Sequence, residues 1–255
     1  MIPTFVISLS DYEDRRRSIA SHLNQLGISF EFWDAVDGRN GLPTMYERQI
    51  DRQAAKKAGR ALSDTEYACA LSHITLYRRI VADRIPYALI FEDDALPLPS
   101  LLDFLAGKHW GGADIIQLWT RRRTFVRRRG ARKLFADHVS YLAAPRMKSP
   151  STVAYTVSLS AARTIVDEAL PVDKEADWPS CVDDLIKKRQ FRCIYPPLVC
   201  HQSVEGYCES SIVSASSSIG NKDKRRFLGV YIPSFRKMLQ SYRRAPLKLL
   251  CKRLP

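Results

Sequence analysis

Residues 86–100, PYALIFEDDALPLPS, set Glu92, Asp93 and Asp94 side by side directly after the apolar run Ala88–Phe91. Adjacent carboxylates repel one another, so three of them at the exit of a buried strand call for a counter-charge. A solvated turn leading into a helix N-cap before Leu101–Leu105 meets that demand with water. A metal ion meets it with chemistry. The cluster has the form E-x-D, and hard oxygen ligands select Mg²⁺ or Mn²⁺ over zinc, the ion being shared with substrate phosphates. Both readings stand on these residues alone.

Other chemistries lack their usual signatures. The chain has no GxGxxG after a strand, no GxxxxGK[ST], no HExxH and no GxSxG. Its six cysteines (Cys69, Cys181, Cys193, Cys200, Cys208 and Cys251) make no CxxC pair and read as reduced, mostly buried thiols.

The elements that hold the acids alternate in type. Ile2–Leu9 reads as a first buried strand, and Asp11–Leu26 as a helix with Ile19, Leu23 and Leu26 on one face. SFEFWDAVDG is a second strand that runs into an Asp-rich turn at Asp34–Gly38. Ser63 and Glu66 form a capping box for a helix carrying Ala70, Ile74, Tyr77 and Val81. After the acidic strand come the strand ADIIQLW, a basic irregular excursion over 121–150, the strand STVAYTVSLS and a helix over Ala161–Ala169. Ser180 and Asp183 suggest one more capped helix, and FRCIYPPLVC a last strand. Such alternation predicts an α/β fold, a Rossmann-type, mostly parallel sheet flanked by helices. Ligands of such sheets bind beyond the carboxyl ends of the strands. Ser8, Asp34–Asp37, Glu92–Asp94 and His201 with Gln202 should therefore gather along one edge.

The net charge of +13 is unevenly spread. Residues 222–255 hold eleven Lys or Arg against Asp223 alone, whereas the remaining 221 residues hold 29 basic and 26 acidic side chains. A near-neutral body with a basic end argues for an anionic surface under that end, and against nucleic acid as partner. MIPTFVISLS is too short and too uncharged at its front for a secretion signal, and no apolar run approaches the ~18 residues that span a bilayer. The chain reads as cytosolic, with a possible peripheral hold on a membrane.

VISLSDYEDRR, FEFWDAVDG, EYACALSHITLYRRI, YALIFEDDA, STVAYTVSLSAARTIV and PPLVCHQS occur in that order between about residues 5 and 212. With these segments the chain resembles glycosyltransferase family 25, which includes bacterial lipooligosaccharide galactosyltransferases and collagen galactosyltransferases. Ala68 stands where the family usually has glycine. The resemblance implies a GT-A-like domain over 1–221, a UDP-sugar donor and inversion at the anomeric carbon, and the charge pattern adds a basic amphipathic tail over 222–255. It implies Mn²⁺ or Mg²⁺ at Asp94, with His201 as a further ligand or else a strand-end histidine bonded to backbone. Glu92 then faces the nucleoside and Asp93 shapes the turn. Ser8, Arg16, Ala35, Asp37, Ser72 and His73 become donor-pocket residues, although a helical His73 without the resemblance reads as packed.

Inverting transfer needs a general base. PVDKEADWPSCVDDLI offers Asp173, Glu175, Asp177, Asp183 and Asp184. Asp177 is the choice, because Trp178 beside it could stack on a sugar, while Asp183 suits a helix cap. The implied reaction moves a hexose, galactose first, from a UDP-sugar to an anionic lipooligosaccharide or lipopolysaccharide core. It takes place on the cytoplasmic face of the bacterial inner membrane, and the tail holds that surface or packs on the domain. Eight basic side chains over 121–133 would meet phosphates on the acceptor or form a solvated hairpin. A metal-dependent phosphodiesterase and a non-catalytic nucleotide- or glycan-binding protein are the alternatives.

Overall fold

In the computed structural model every residue of Thr4–Ser8 (β1) is buried, as a strand covered on both faces must be. The structure describes residues 1–58, 60–119, 126–143, 151–176 and 178–202. Asp177, Arg121–Arg123 and the basic tail, with the boundary drawn at 221, lie outside the described residues.

Glu13–Gln25 (α1) follows β1 and buries Ile19 and Leu23. Glu31–Asp34 (β2) pairs parallel to β1. Arg52–Ala58 (α2) leads to Asp64–Ala82 (α3), which starts where the capping box requires. The Glu66 amide donates to Ser63 Oγ at 3.3 Å, and the Ser63 amide donates to Glu66 Oε2 at 2.8 Å. A cap of this kind contributes about 1 kcal/mol. It also fixes the approach of α3 to the turn after β2. A Cβ on Gly38 would stand 2.4 Å from the Asp64 carbonyl oxygen and 2.8 Å from Ala68 Cβ, so only glycine fits there.

Tyr87–Glu92 (β3) lies beside β1, in parallel. Ala95–Pro97 (β4) resumes regular structure after Asp93 and Asp94. Leu101–Ala106 (α4) and Ile115–Gln117 (β5) come next. Val126–Phe135 (β6) and His138–Ala143 (β7) then form an antiparallel hairpin inside the stretch read as irregular. Its register shifts between Arg127 and Arg132, around Gly130 at φ +89°. Ala154–Ser158 (β8), Leu159–Glu168 (α5), Val182–Lys187 (α6), Phe191–Tyr195 (β9) and Val199–His201 (β10) complete the order. FRCIYPPLVC is thus two strands divided at Pro196 and Pro197, neither of which can donate to a ladder.

The large sheet runs β2-β1-β3-β8-β5-β9-β7-β6. Its β1–β2, β1–β3 and β5–β9 pairs are parallel. The β3–β8, β5–β8, β7–β9 and β6–β7 pairs are antiparallel. The expected α/β sheet with flanking helices is present, but it is mixed: β8 turns back between β3 and β5, and the hairpin adds an antiparallel edge. Both faces are covered. Ala88 and Ile90 of β3 enter the cluster under α3, α5 and α6, while Leu89 and Phe91 enter the one under α1 and α4. A separate β4–β10 pair sets His201 opposite Ala95, one residue beyond Asp94.

Candidate functional site

Each of the three acids has its own partners. Asp93 Oδ2 accepts from Ser8 Oγ at 2.7 Å, and Asp93 Oδ1 lies 2.7 Å from an Arg15 guanidinium nitrogen. The same nitrogen lies 2.7 Å from Asp94 Oδ2, and His201 Nε2 reaches that oxygen at 3.3 Å. The Asp94 carbonyl accepts from the Gln202 amide at 2.9 Å, which ties the turn to the end of β10. Crowding at this strand exit is therefore relieved by Arg15, a cation supplied by α1.

Burial pushes the Asp93 carboxyl above its ordinary value, against the Ser8 hydrogen bond and the Arg15 charge. Asp94 is held below its own. Burial again acts upward there, but the His201 hydrogen bond and charge, with those of Arg15, outweigh it. Two adjacent aspartates are thus pushed apart, and Asp94 is the better anion.

Glu92 turns toward α3. Its Oε1 accepts from Thr152 Oγ1 at 2.5 Å and lies 3.3 Å from His73 Nε2. A carboxylate there requires Nε2 to carry the proton, so Nδ1 accepts from the Tyr155 hydroxyl at 2.8 Å, and Tyr155 accepts from Tyr77 at 2.5 Å. Burial raises both phenols far above neutrality, so they remain donors. His73 is fully packed, and its ring is aimed by this chain of hydroxyls. Cys69, one helical turn back, brings a sulfur within 4.8 Å of the His73 and Glu92 ligand atoms.

The remaining expected residues divide. Arg16 donates to the backbone oxygens of Ser8 (2.9 Å) and Leu9 (3.0 Å) and pairs with Asp34, so it braces the first strand ends. The Ala35 amide donates to the Ser8 carbonyl at 2.9 Å, and Ser72 Oγ accepts from the Val36 amide at 2.8 Å. Both therefore hold the turn after β2 in place. Asp37 stands apart, exposed and locked to Arg39, which holds its carboxyl down at about 2. Asp177 lies outside the described residues. Its neighbour Trp178 is half-buried, with ring centroids 5.0 Å from both Tyr155 and Phe191, so it belongs to the core and not to a sugar platform. Asp183 does not cap α6: the N-cap is Cys181, and no side chain bonds there. Asp173, Glu175 and Ala176 line a cavity of about 20 Å³ with His73 and Tyr77, which places the carboxylate-rich loop beside α3.

A divalent cation fits one point of this arrangement. Asp94 Oδ1 is buried and has no hydrogen-bond partner among the described residues. An orphaned oxygen on a carboxylate whose other oxygen meets an imidazole nitrogen offers oxygen and nitrogen donors that suit Mn²⁺ or Mg²⁺. The acids, Ser8, Arg15 and His201 thus form one charged edge where β1, β3 and β10 end.

Comparison with known proteins agrees with the resemblance drawn from the segments. A 106-residue stretch is 35% identical to the lipooligosaccharide biosynthesis protein lic2B of Haemophilus influenzae, and covers 42% of this chain and 38% of that one. A 105-residue stretch is 34% identical to the lacto-N-neotetraose biosynthesis glycosyltransferase LgtE of Neisseria meningitidis serogroup B, covering 41% and 36%. These matches span little more than a third of each relative's length. A longer one, 26% identical over 241 residues, covers 87% of this chain and 84% of LgtB from N. meningitidis serogroup A. The family model described as glycosyltransferase family 25 (LPS biosynthesis protein) matches residues 1–186, and the chain belongs to that family.

Proposed function

We propose that the chain is an inverting, metal-dependent glycosyltransferase of GT-A type that moves a hexose, galactose first, from a UDP-sugar to a lipooligosaccharide or lipopolysaccharide core. The observation that carries this reading is the orphaned Oδ1 of Asp94, whose Oδ2 meets His201, on an edge that also holds Ser8, Glu92 and Asp93. The names of the relatives, which speak of lipooligosaccharide and lacto-N-neotetraose biosynthesis, support the acceptor class.

In this reading Asp94 and His201 hold a divalent ion, which supplies Lewis-acid stabilisation of the departing diphosphate. Ser8 and Arg15 fix Asp93 and with it the turn. Glu92 spends Oε1 on Thr152 and His73, which leaves Oε2 to accept a hydrogen bond from the donor nucleoside. Ala35 and Ser72 shape the pocket wall through backbone contacts. Asp177 takes the proton of the acceptor hydroxyl as that oxygen attacks the anomeric carbon and UDP leaves. A non-catalytic nucleotide- or glycan-binding protein is the second reading, favoured by one observation: Arg15 already neutralises the aspartate pair.

A panel of nucleotide sugars with Mn²⁺ separates them. Slow hydrolysis of one UDP-sugar, stopped by EDTA, is expected. Binding without turnover of any donor would leave the second reading standing alone.

The basic end fits the same account. Lys and Arg close to an anionic leaflet contribute roughly 1 kcal/mol each, and residues 222–255 carry eleven. The full chain should co-sediment with anionic vesicles at low salt and lose that binding when cut after residue 221. Equal sedimentation of the cut protein contradicts a membrane role for the tail.

A further inference from the structure

Away from the acidic edge, a cavity of about 280 Å³ opens among β6, β7, β9 and the segment between α4 and β5. Lys108, His109, Arg132, Lys133, Ser140 and Arg192 line it, and among the described residues no acid does. β9 is the third strand from β3 in the sheet, roughly 14 Å across at 4.8 Å per strand. The cavity is therefore separate from the Asp94 site.

Arg192 is the unusual member, only 2% exposed. Its Nε donates to Ser140 Oγ at 2.6 Å, and its Nη2 to the carbonyls of Gly130 (2.7 Å) and Ser140 (2.8 Å). These bonds hold the guanidinium still and staple the bulge of β6, but all their acceptors are neutral. Nη1 has no hydrogen-bond partner among the described residues. Burial, and then the neighbouring Arg132, push the guanidinium below its ordinary value. Among the described residues, none of the five basic lining side chains pairs with a carboxylate. Asp103 and Asp137 act on the buried His138 nearby, and neither lines the cavity. A buried charge beside like charges is costly unless a counter-ion arrives. A fixed guanidinium whose Nη1 still has its hydrogens to donate, with mobile cations over it, suits a tetrahedral oxyanion.

We infer that this cavity binds a phosphate monoester, the buried Arg192 supplying a fixed Nη1 donor and Arg132, Lys133 and Lys108 the closing charge. Its volume, at the small end of ligand sites, fits a phosphate carried on one sugar rather than a nucleotide. The inference stands apart from the transfer reading, since the cavity lies on other strands of the sheet. If both hold, the phosphate belongs to the acceptor.

The test is calorimetric titration of the full chain with inorganic phosphate, against potassium chloride at matched ionic strength. Saturable binding of one phosphate is expected, at least tenfold weaker in the double variant Arg132→Gln, Lys133→Gln. Both positions are exposed, so the variant should fold. UDP binding should be the same in both proteins. Arg192→Lys, which keeps the charge and loses the Nη1 donor, should weaken phosphate at least as much. A second arm compares a phosphate-bearing core oligosaccharide with the same glycan after phosphatase treatment. Tighter binding of the phosphorylated glycan than of inorganic phosphate assigns the site to an acceptor, and equal affinity assigns it to free phosphate. Heat from phosphate no different from that of chloride, or undiminished in the double variant, overturns the site whatever the donor experiments show.

Discussion

Asp94→Asn is expected to lower glycosyl transfer at least about 100-fold while the protein stays folded. The substitution keeps the shape of the side chain, and its carbonyl oxygen can still accept from Arg15. The backbone bond from the Gln202 amide to the Asp94 carbonyl is untouched, so the β4–β10 pair should persist. What is lost is the negative charge at the buried, unpartnered Oδ1. Removing one group that stabilises charge in a transition state costs about 10²–10³ in rate. Initial rates at saturating Mn²⁺, with a circular-dichroism melt as the control for folding, measure both halves. Transfer within twofold of the parent, or full parental activity in EDTA, contradicts a metal role for Asp94.

Arg15→Gln should show what the guanidinium does. With Arg15 gone, Asp93 and Asp94 face each other without compensation, and Asp93 is nearly buried. Breaking a fully buried pair costs about 3–5 kcal/mol. The Arg15 side chain is 38% exposed, so solvent screening reduces the expected loss to about 1–2 kcal/mol. The consequence for ion binding has the opposite sign. Arg15 competes with a divalent ion for Asp94 Oδ2, so the variant should bind Mn²⁺ more tightly and gain more stability from it. Denaturant unfolding in EDTA and in Mn²⁺ gives the two numbers. A variant as stable as the parent in EDTA would show that Arg15 does not neutralise the cluster. A smaller Mn²⁺ effect than in the parent would show that Arg15 does not compete with the ion.

Arg15 was open to sequence reasoning. It lies four residues before Ile19 and eight before Leu23, on the one face of α1 that points into the protein. Its neighbours Arg16 and Arg17 do other work. Of these, Arg16 braces β1 and β2, and Arg17 stays on the surface with Asp14. Start and stop signals were the most readable features: the Ser63–Glu66 box, Gly27 after α1, and the apolar β3 all mark real boundaries. The β6–β7 hairpin was hidden because its exposed edge strand carries Arg and Lys where a half-buried strand would alternate. Strand direction was also unreadable. Nothing in STVAYTVSLS says that β8 runs against both neighbours, since a strand buried on both faces reads the same in either direction.

At the site, residue types were more legible than partners. The acidic triplet and His201 were found, because acids at a strand end and a late histidine stand out in one dimension. The Thr152–Glu92–His73–Tyr155–Tyr77 chain was not found, since it joins β3, α3 and β8 across the core. Trp178 was misplaced for the opposite reason. An aromatic in a polar loop looks exposed until the sheet beneath it is known.

The central claim is that Asp94 and a divalent ion together receive a UDP-sugar diphosphate. Calorimetric titration of UDP into the full chain tests it most directly, performed with Mn²⁺, with EDTA, and with Asp94→Asn in Mn²⁺. The account predicts one saturable site in Mn²⁺ that is lost in EDTA and in the variant. UDP binding of equal strength under all three conditions would contradict it.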